Sequence, residues 1–152
     1  MNAFEPDERG LVSTCRHCGQ RNRLHYERLG RQFRCGKCHS ELTQPAEPVA
    51  VETPAVFDAL TERSAVPVLM DFWAPWCGPC KMVALELAKV AAEGAGRWLV
   101  AKANTEELPG PAQHFQIQAI PTMVLFRRGH EVARQSGAMP AQFIEQGNSI
   151  SR

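Results

Sequence analysis

The chain has 152 residues, a formal net charge of +1 and 22% charged residues. No apolar run approaches the roughly 20 residues of a membrane-spanning helix, so we expect a soluble protein without a membrane partner. The near balance of charges does not suggest a polyanion as the partner of the whole chain. The length fits one domain of ordinary size plus a smaller unit.

The N-terminal segment carries Glu5, Asp7, Glu8 and Arg9 where a secretory signal would have an apolar stretch. We therefore expect a cytoplasmic protein in a reducing compartment. All six cysteines lie in Cys-x-x-Cys pairs, and none is left over. In a reducing compartment such pairs indicate metal ligands or redox groups rather than structural disulfides.

The first two pairs are separated by 16 residues in a segment with few large apolar side chains. This spacing is typical of a four-cysteine zinc site, in which each pair curls into a knuckle that directs both sulfurs at one ion. Zinc would supply the folding free energy that the small core lacks. Two disulfides or accessory redox pairs are the alternatives. The predicted ligands of one structural or redox-sensing zinc ion are Cys15, Cys18, Cys35 and Cys38.

Histidines and basic residues surround these pairs. His17 and His39 could replace a ligand, but four thiolates already complete a tetrahedron, so we expect both to lie outside the ligand set. The basic residues, with Tyr26 and Phe33 between them, are compatible with nucleic-acid contact. Because the bias is local and weak, counter-charge for a thiolate-rich ribbon explains it better, and no nucleic-acid partner is expected.

Two prolines, Pro45 and Pro48, disfavour helix and suit a short extended connection. We therefore predict a zinc-ribbon-like domain over residues 1–44 and a second domain over residues 45–152.

The second domain alternates strands and helices and then forms a hairpin. A helix is predicted from Pro54 to residue 64, because Thr53 can cap it and Pro54 can take its first position. The later predicted elements are a buried strand at 66–73, an amphipathic helix after Cys77 that ends near Gly94, a strand at 98–103, an irregular helix at 106–115, a hairpin of 122–127 with 131–135, and a short helix at 140–146. This order indicates an α/β fold with a mixed sheet and helices on both faces.

The third cysteine pair, Cys77 and Cys80, lies where the buried strand turns into the amphipathic helix. Unpaired N–H groups and the helix dipole favour thiolate at the first cysteine, so its pKa should be lowered. Cys77 is then the attacking thiol of a disulfide exchange, and Cys80, one turn later, is the resolving thiol.

The run from Asp71 to Met82, which contains Trp-Cys-Gly-Pro-Cys, and the later Ile-Pro-Thr at 120–122 resemble thioredoxin. The resemblance covers about residues 48–147. With the four-cysteine segment in front, the chain resembles the zinc-bearing second thioredoxin of bacteria. The resemblance implies a thioredoxin fold and protein-disulfide reductase activity.

Further site residues follow from the resemblance. Asp71 is a lone carboxylate in an apolar strand, and burial without a partner raises a carboxyl pKa toward the range useful for proton transfer. The resemblance makes Asp71 the proton acceptor for Cys80, Lys102 the lysine that tunes it, and Pro121 a cis-proline packed against the dithiol. Asp71 and Lys102 could instead be surface residues at strand ends. The predicted docking surface for substrates comprises Trp76, Gly78, Pro79, Ala119, Ile120 and Gly137.

Two positions depart from the family pattern. Leu85 stands where many thioredoxins have a helix-kinking proline, so a straighter helix is expected. Ser136 replaces a small apolar residue, which should make the docking surface more polar. Neither change removes a group that disulfide exchange needs.

The sequence therefore predicts a monomeric thiol–disulfide oxidoreductase that reduces target proteins and is recharged by thioredoxin reductase with electrons from NADPH. The alternative is a zinc-dependent binding module or oxidative-stress sensor in which redox activity is secondary. An oxidase or isomerase would need a more oxidising dithiol.

Overall fold

The computed structural model describes residues 3–137. The short helix predicted at 140–146 lies outside the described residues. Within them, no helix is both long enough and apolar enough to cross a membrane.

The N-terminal segment forms a ribbon of two small antiparallel sheets. The first sheet has the order β1-β2-β3, the second pairs β4 with β5, and a short 3-10 turn over Tyr26–Arg28 lies between them. Leu11 and Leu24 face each other across β2 and β3 and are fully buried. The strands are β1 (Phe4–Pro6), β2 (Gly10–Thr14), β3 (Arg21–His25), β4 (Phe33–Arg34) and β5 (Glu41–Leu42).

The C-terminal part is built on a five-stranded sheet with the order β10-β9-β7-β8-β6. Strands β6, β7 and β8 are mutually parallel, whereas β9 and β10 run antiparallel to their neighbours. The predicted mixed sheet is therefore confirmed. The elements are β6 (Val49–Val51), α1 (Pro54–Arg63), β7 (Val68–Trp73), α2 (Gly78–Glu93), β8 (Leu99–Asn104), α3 (Pro109–His114), β9 (Thr122–Arg127) and β10 (His130–Ser136).

Helix α1 begins as the sequence predicts. The Thr53 hydroxyl accepts a hydrogen bond from the Val56 N–H at 3.2 Å, and Pro54 occupies the first helical position. Helix α2 runs from Gly78 to Glu93 without interruption, and Leu85 is exposed on its surface. A leucine keeps its N–H for the helical ladder, so nothing at this position breaks the helix.

Helix α3 is shorter than the predicted helix at 106–115 and begins only at Pro109. The segment before it forms a turn because the Asn104 side chain accepts a hydrogen bond from the Glu106 N–H at 2.9 Å. The hairpin turn is also tighter than predicted. Arg128 and Gly129 both have positive φ, at 50° and 83°, which is the backbone of a two-residue hairpin turn.

The ribbon packs on the edge of the larger sheet, with β1 beside β6. Buried residues from Phe4 through Leu42 belong to the same hydrophobic core as Val49, Val51 and Phe57. Backbone groups also join the two parts, because the Ala65 N–H donates to the Tyr26 carbonyl at 2.9 Å. The division into domains at residue 44 stays a prediction, and the core extends across that position.

Candidate active site and metal centre

The dithiol lies at the corner between β7 and α2. Cys77 is the N-cap residue of α2 and Cys80 lies in its first turn; their Cα atoms are 5.3 Å apart and the two sulfurs are joined in a disulfide. The Cys77 sulfur also accepts a hydrogen bond from the Cys80 N–H at 3.2 Å. The N-terminus of a helix of 16 residues therefore points at the first sulfur, an arrangement that stabilises a thiolate when the disulfide is reduced.

Asp71 is fully buried in the central strand β7. Both of its carboxylate oxygens lack a hydrogen-bond partner among the described residues. Burial raises the pKa of Asp71 from its ordinary value of 3.8 to about 7, while the charge of Lys102 acts in the opposite direction. The alternative that Asp71 is a surface residue is wrong, and its carboxyl can exchange a proton near neutral pH.

Lys102 is half-buried and lies beside Asp71 in register on the neighbouring strand β8. Its Nζ sits 4.8 Å from the centre of the Trp73 ring. Trp73 had no predicted role at the site, but this half-buried ring holds the lysine through a cation–π contact. The signal was the position of Trp73 on β7, two residues after Asp71 and therefore on the same face.

The peptide bond between Ile120 and Pro121 is cis. Pro121 is buried, and the half-buried Ile120 packs against the cluster of Ala74, Cys77 and Cys80. Ala119 is exposed beside it. Ile120 thus contacts the dithiol cluster, and Ala119 and Pro121 flank it in the chain.

Ser136 contributes to a hydrogen-bonded link under this loop. The hydroxyl of the buried Thr122 donates to the Ala119 carbonyl and lies 3.2 Å from the Ser136 hydroxyl. The Gly137 N–H donates to the Pro121 carbonyl at 2.9 Å. Thr122 had no predicted role, and Ser136 was expected only to make the surface more polar.

Trp76 is the most prominent exposed residue beside the dithiol, with 70% of its surface accessible. Its indole N–H donates to the Glu106 carboxylate at 2.8 Å. Gly78 and Pro79 are exposed in the first turn of α2. Glu106 was not anticipated, because it lies in a turn after β8 and only the fold brings it to Trp76.

The four cysteines of the ribbon form one cluster, with all sulfurs within 4.8 Å of one another. The Cys15 and Cys38 sulfurs are 3.7 Å apart, and those of Cys18 and Cys35 are 3.5 Å apart. Tetrahedral coordination with zinc–sulfur bonds of about 2.3 Å places sulfurs about 3.8 Å apart. The cluster therefore fits one zinc ion bound by four thiolates.

The two knuckles repeat the same backbone pattern. In each knuckle the N–H after the second cysteine donates to the carbonyl of the first, as from Gly19 to Cys15 and from His39 to Cys35. Gly19 and His39 accordingly have positive φ, at 81° and 63°. Gly36, between the two cysteines of the second knuckle, is not required by space, because a Cβ there would meet nothing closer than 3.8 Å. The sequence did not indicate the positive φ of His39, because the second knuckle has a histidine where the first has a glycine.

Backbone donors favour negative charge at one sulfur of the cluster. The N–H groups of Cys38 and Lys37 lower the pKa of Cys35, whereas burial and the neighbouring cysteines raise the pKa of Cys18. His17 and His39 are exposed outside the cluster.

Comparisons with known proteins agree with this geometry. The profile of the thioredoxin family matches residues 48–148, and the profile described as the N-terminal region of thioredoxin 2 matches residues 14–40.

Among relatives, thioredoxin C-3 of Corynebacterium nephridii is 39% identical over 136 residues, which cover 90% of this chain and 92% of the relative. A thioredoxin of Haemophilus influenzae is 43% identical over 60% of this chain and 90% of its own length. Among solved structures, a mutant thioredoxin from Halobacterium salinarum superimposes with a TM-score of 0.65 at 28% identity, covering 73% of this chain and 96% of that chain. The chain belongs to the thioredoxin family of thiol–disulfide oxidoreductases, and its N-terminal segment is of the thioredoxin 2 type.

Proposed function

We propose that this protein reduces disulfides in other proteins through Cys77 and Cys80. The observation that carries the proposal is the cysteine pair at the N-terminus of α2, directly after the strand that holds a buried carboxyl with a pKa raised to about 7. The Cys77 thiolate attacks one sulfur of the target disulfide, and the other target sulfur leaves as a thiolate. Cys80 then attacks Cys77 in the mixed disulfide, which releases the reduced target and leaves the Cys77–Cys80 disulfide of this structure.

Asp71 acts in the second step. Cys80 must lose its proton before it can attack, and a carboxylate with a pKa of about 7 can accept a proton at cellular pH. Lys102, beside it in register, keeps the pKa of Asp71 from rising further. Lys102 is therefore a positioning residue that acts through Asp71.

The target docks on the surface around the dithiol. An extended segment of the target would lie beside the cis-proline loop and pair with its backbone as a β-strand. Exposed Trp76 directly precedes Cys77 and is held by Glu106, and Ile120 packs against the dithiol. The proposed docking residues are Trp76, Gly78, Pro79, Ala119, Ile120 and Gly137.

The oxidised pair needs two electrons and two protons to return to the dithiol. We propose thioredoxin reductase as their source, with NADPH as the hydride donor. Disulfide-containing proteins are then the other class of partner, and a cytoplasmic monomer suits this cycle.

The ribbon would hold one zinc ion through Cys15, Cys18, Cys35 and Cys38. Bound zinc would contribute folding free energy to the small sheets of the ribbon, and thiolate ligands are oxidisable. A structural role and a redox-sensing role are both compatible with the four-sulfur cluster.

The test is NADPH-dependent reduction of insulin in the presence of thioredoxin reductase, with zinc measured in the same preparations. We expect turnover by the wild type, no turnover by Cys77→Ser, and about one zinc in each. In the Cys80→Ser variant, a covalent complex with the target should accumulate because nothing resolves the mixed disulfide. A folded, zinc-loaded wild type without turnover would contradict the proposal and favour a binding or sensing role for the ribbon.

A further inference from the structure

The four sulfurs of the ribbon are not equally protected. Cys15 and Cys35 are buried, with 3% and 1% of their surface accessible. Cys18 and Cys38 are half-buried at the equivalent positions of the two knuckles. A reagent that approaches from solvent therefore meets Cys18 and Cys38 before the other two.

A hydroxyl protects only one of these two accessible sulfurs. The Ser40 oxygen lies 2.9 Å from the Cys38 sulfur and 3.5 Å from that of Cys15. When the cluster holds zinc through four thiolates, no sulfur has a proton, so the serine hydroxyl is the donor. A donated hydrogen bond stabilises the thiolate lone pair and lowers its nucleophilicity.

The buried sulfur of the second knuckle is protected in a similar way. The Asn22 amide lies 3.5 Å from the Cys35 sulfur, and its carbonyl oxygen accepts the Gly36 N–H at 3.0 Å. Cys18, by contrast, has a backbone donor, the Gln20 N–H, but among residues 3–137 no hydroxyl or amide side chain lies within hydrogen-bond distance of its sulfur. Gln20 takes the place in the first knuckle that Ser40 takes in the second, so the Ser40 hydroxyl is the side-chain donor that distinguishes the two sulfurs. Cationic residues flank both knuckles, at Arg16 and Lys37, so charge does not separate them.

We infer that Cys18 is the sulfur at which small, uncharged electrophiles first attack the cluster. This inference rests on the proposed zinc site and adds a specific modification site to it. With a maleimide, a bond forms between the Cys18 sulfur and one alkene carbon, and the other alkene carbon takes a proton from water. The resulting thioether is a weaker zinc ligand than the thiolate it replaces.

The test uses the full-length, zinc-loaded protein with its Cys77–Cys80 pair oxidised, so that only the ribbon offers thiolates. Less than one equivalent of N-ethylmaleimide is added, the reaction is quenched, and the modified cysteine is located by peptide mass spectrometry. Released zinc is followed with a chromogenic chelator. We expect Cys18 to react about fivefold faster than Cys38, the effect of a hydrogen bond of ordinary strength.

Two variants of Ser40 separate hydrogen bonding from simple access. Ser40→Ala should raise the reaction of Cys38 to the level of Cys18, whereas Ser40→Thr keeps a hydroxyl and should keep the wild-type order. Gln20→Ala is the control for an exposed polar side chain near the knuckles, since the Gln20 amide donates to the Arg21 carbonyl rather than to sulfur.

The outcomes are distinct. Equal labelling of Cys18 and Cys38, or earlier labelling of Cys38, in zinc-loaded wild type would overturn the inference and leave the zinc site intact. Absence of zinc from the untreated wild type would remove the zinc site and the inference together, without affecting the reductase. If Ser40→Ala loses its zinc, the order in which Cys18 and Cys38 are labelled in the wild type and in Ser40→Thr still tests the inference.

Discussion

Replacing Asp71 by asparagine should make the oxidised protein progressively more stable, relative to wild type, as pH rises. Asp71 is buried without a hydrogen-bond partner among the described residues, and its pKa is about 7 instead of 3.8. Between these two values the native state holds a proton that the unfolded chain has lost. The free energy of unfolding therefore falls as pH rises through this range and levels off above about pH 7.

Above pH 7, burying the ionised carboxylate lowers the free energy of unfolding by about 4 kcal/mol, because the pKa of Asp71 differs by about three between the native and the unfolded state. Asparagine has nearly the same shape and no ionisation. The difference in unfolding free energy between Asp71→Asn and wild type should therefore grow by about 2 kcal/mol between about pH 5.5 and about pH 8.5. Any constant cost of burying the amide cancels in this comparison.

The assay is urea unfolding followed by tryptophan fluorescence, with the Cys77–Cys80 disulfide intact and zinc content checked at each pH. Asp58→Asn removes an exposed carboxylate on α1 and controls for the change in net charge. A stability difference for Asp71→Asn that does not change with pH, or that shrinks as pH rises, would refute the reasoning about this carboxyl.

Three further predictions concern the ribbon. Gly10→Ala should destabilise the protein by several kcal/mol, because a Cβ at Gly10 would overlap the Leu24 backbone. Thermal unfolding tests this, with Gly110→Ala as the control because a Cβ at Gly110 meets nothing within 4 Å. His39→Gly should raise the unfolding free energy by up to about 1 kcal/mol, since glycine adopts a φ of 63° without strain; a lower urea midpoint at equal zinc content would contradict this. Removing zinc with a chelator should lower the melting temperature of the whole chain, because ribbon residues such as Phe4 share its core; calorimetry that shows an unchanged main transition would disprove the coupling.

The parts of the fold that the sequence could predict depend on local chemistry. The cap at Thr53, the cysteine pair at the start of α2 and the spacing of the ribbon cysteines each act over a few residues, so their pattern is visible in the chain. The start of α3 was missed because the Asn104 side chain competes for the Glu106 N–H, an interaction that helical periodicity does not contain.

The candidate site also combines features that local sequence predicts with contacts that only the fold creates. Burial of Asp71 follows from its apolar neighbours in β7, and the cluster of four sulfurs follows from the knuckle spacing. The contacts of Trp76 with Glu106 and of Ser40 with Cys15 join residues that are far apart in the chain. Such contacts depend on the path of the backbone between them, and no local pattern in the sequence specifies that path.

The place of the ribbon beside β6 has a consequence for aggregation. The outer strand at the other side of the sheet, β10, protects itself with charged residues and an irregular register, including the ion pair of Arg134 with Glu131 at 2.7 Å. Strand β6 has the apolar sequence Val-Ala-Val and none of these devices. Because β1 lies beside β6, we expect the ribbon to hinder pairing of this strand with a strand of another molecule. A shortened chain that begins at residue 45 would lack the ribbon and expose β6. We expect it to self-associate through this strand, whether or not its dithiol remains active.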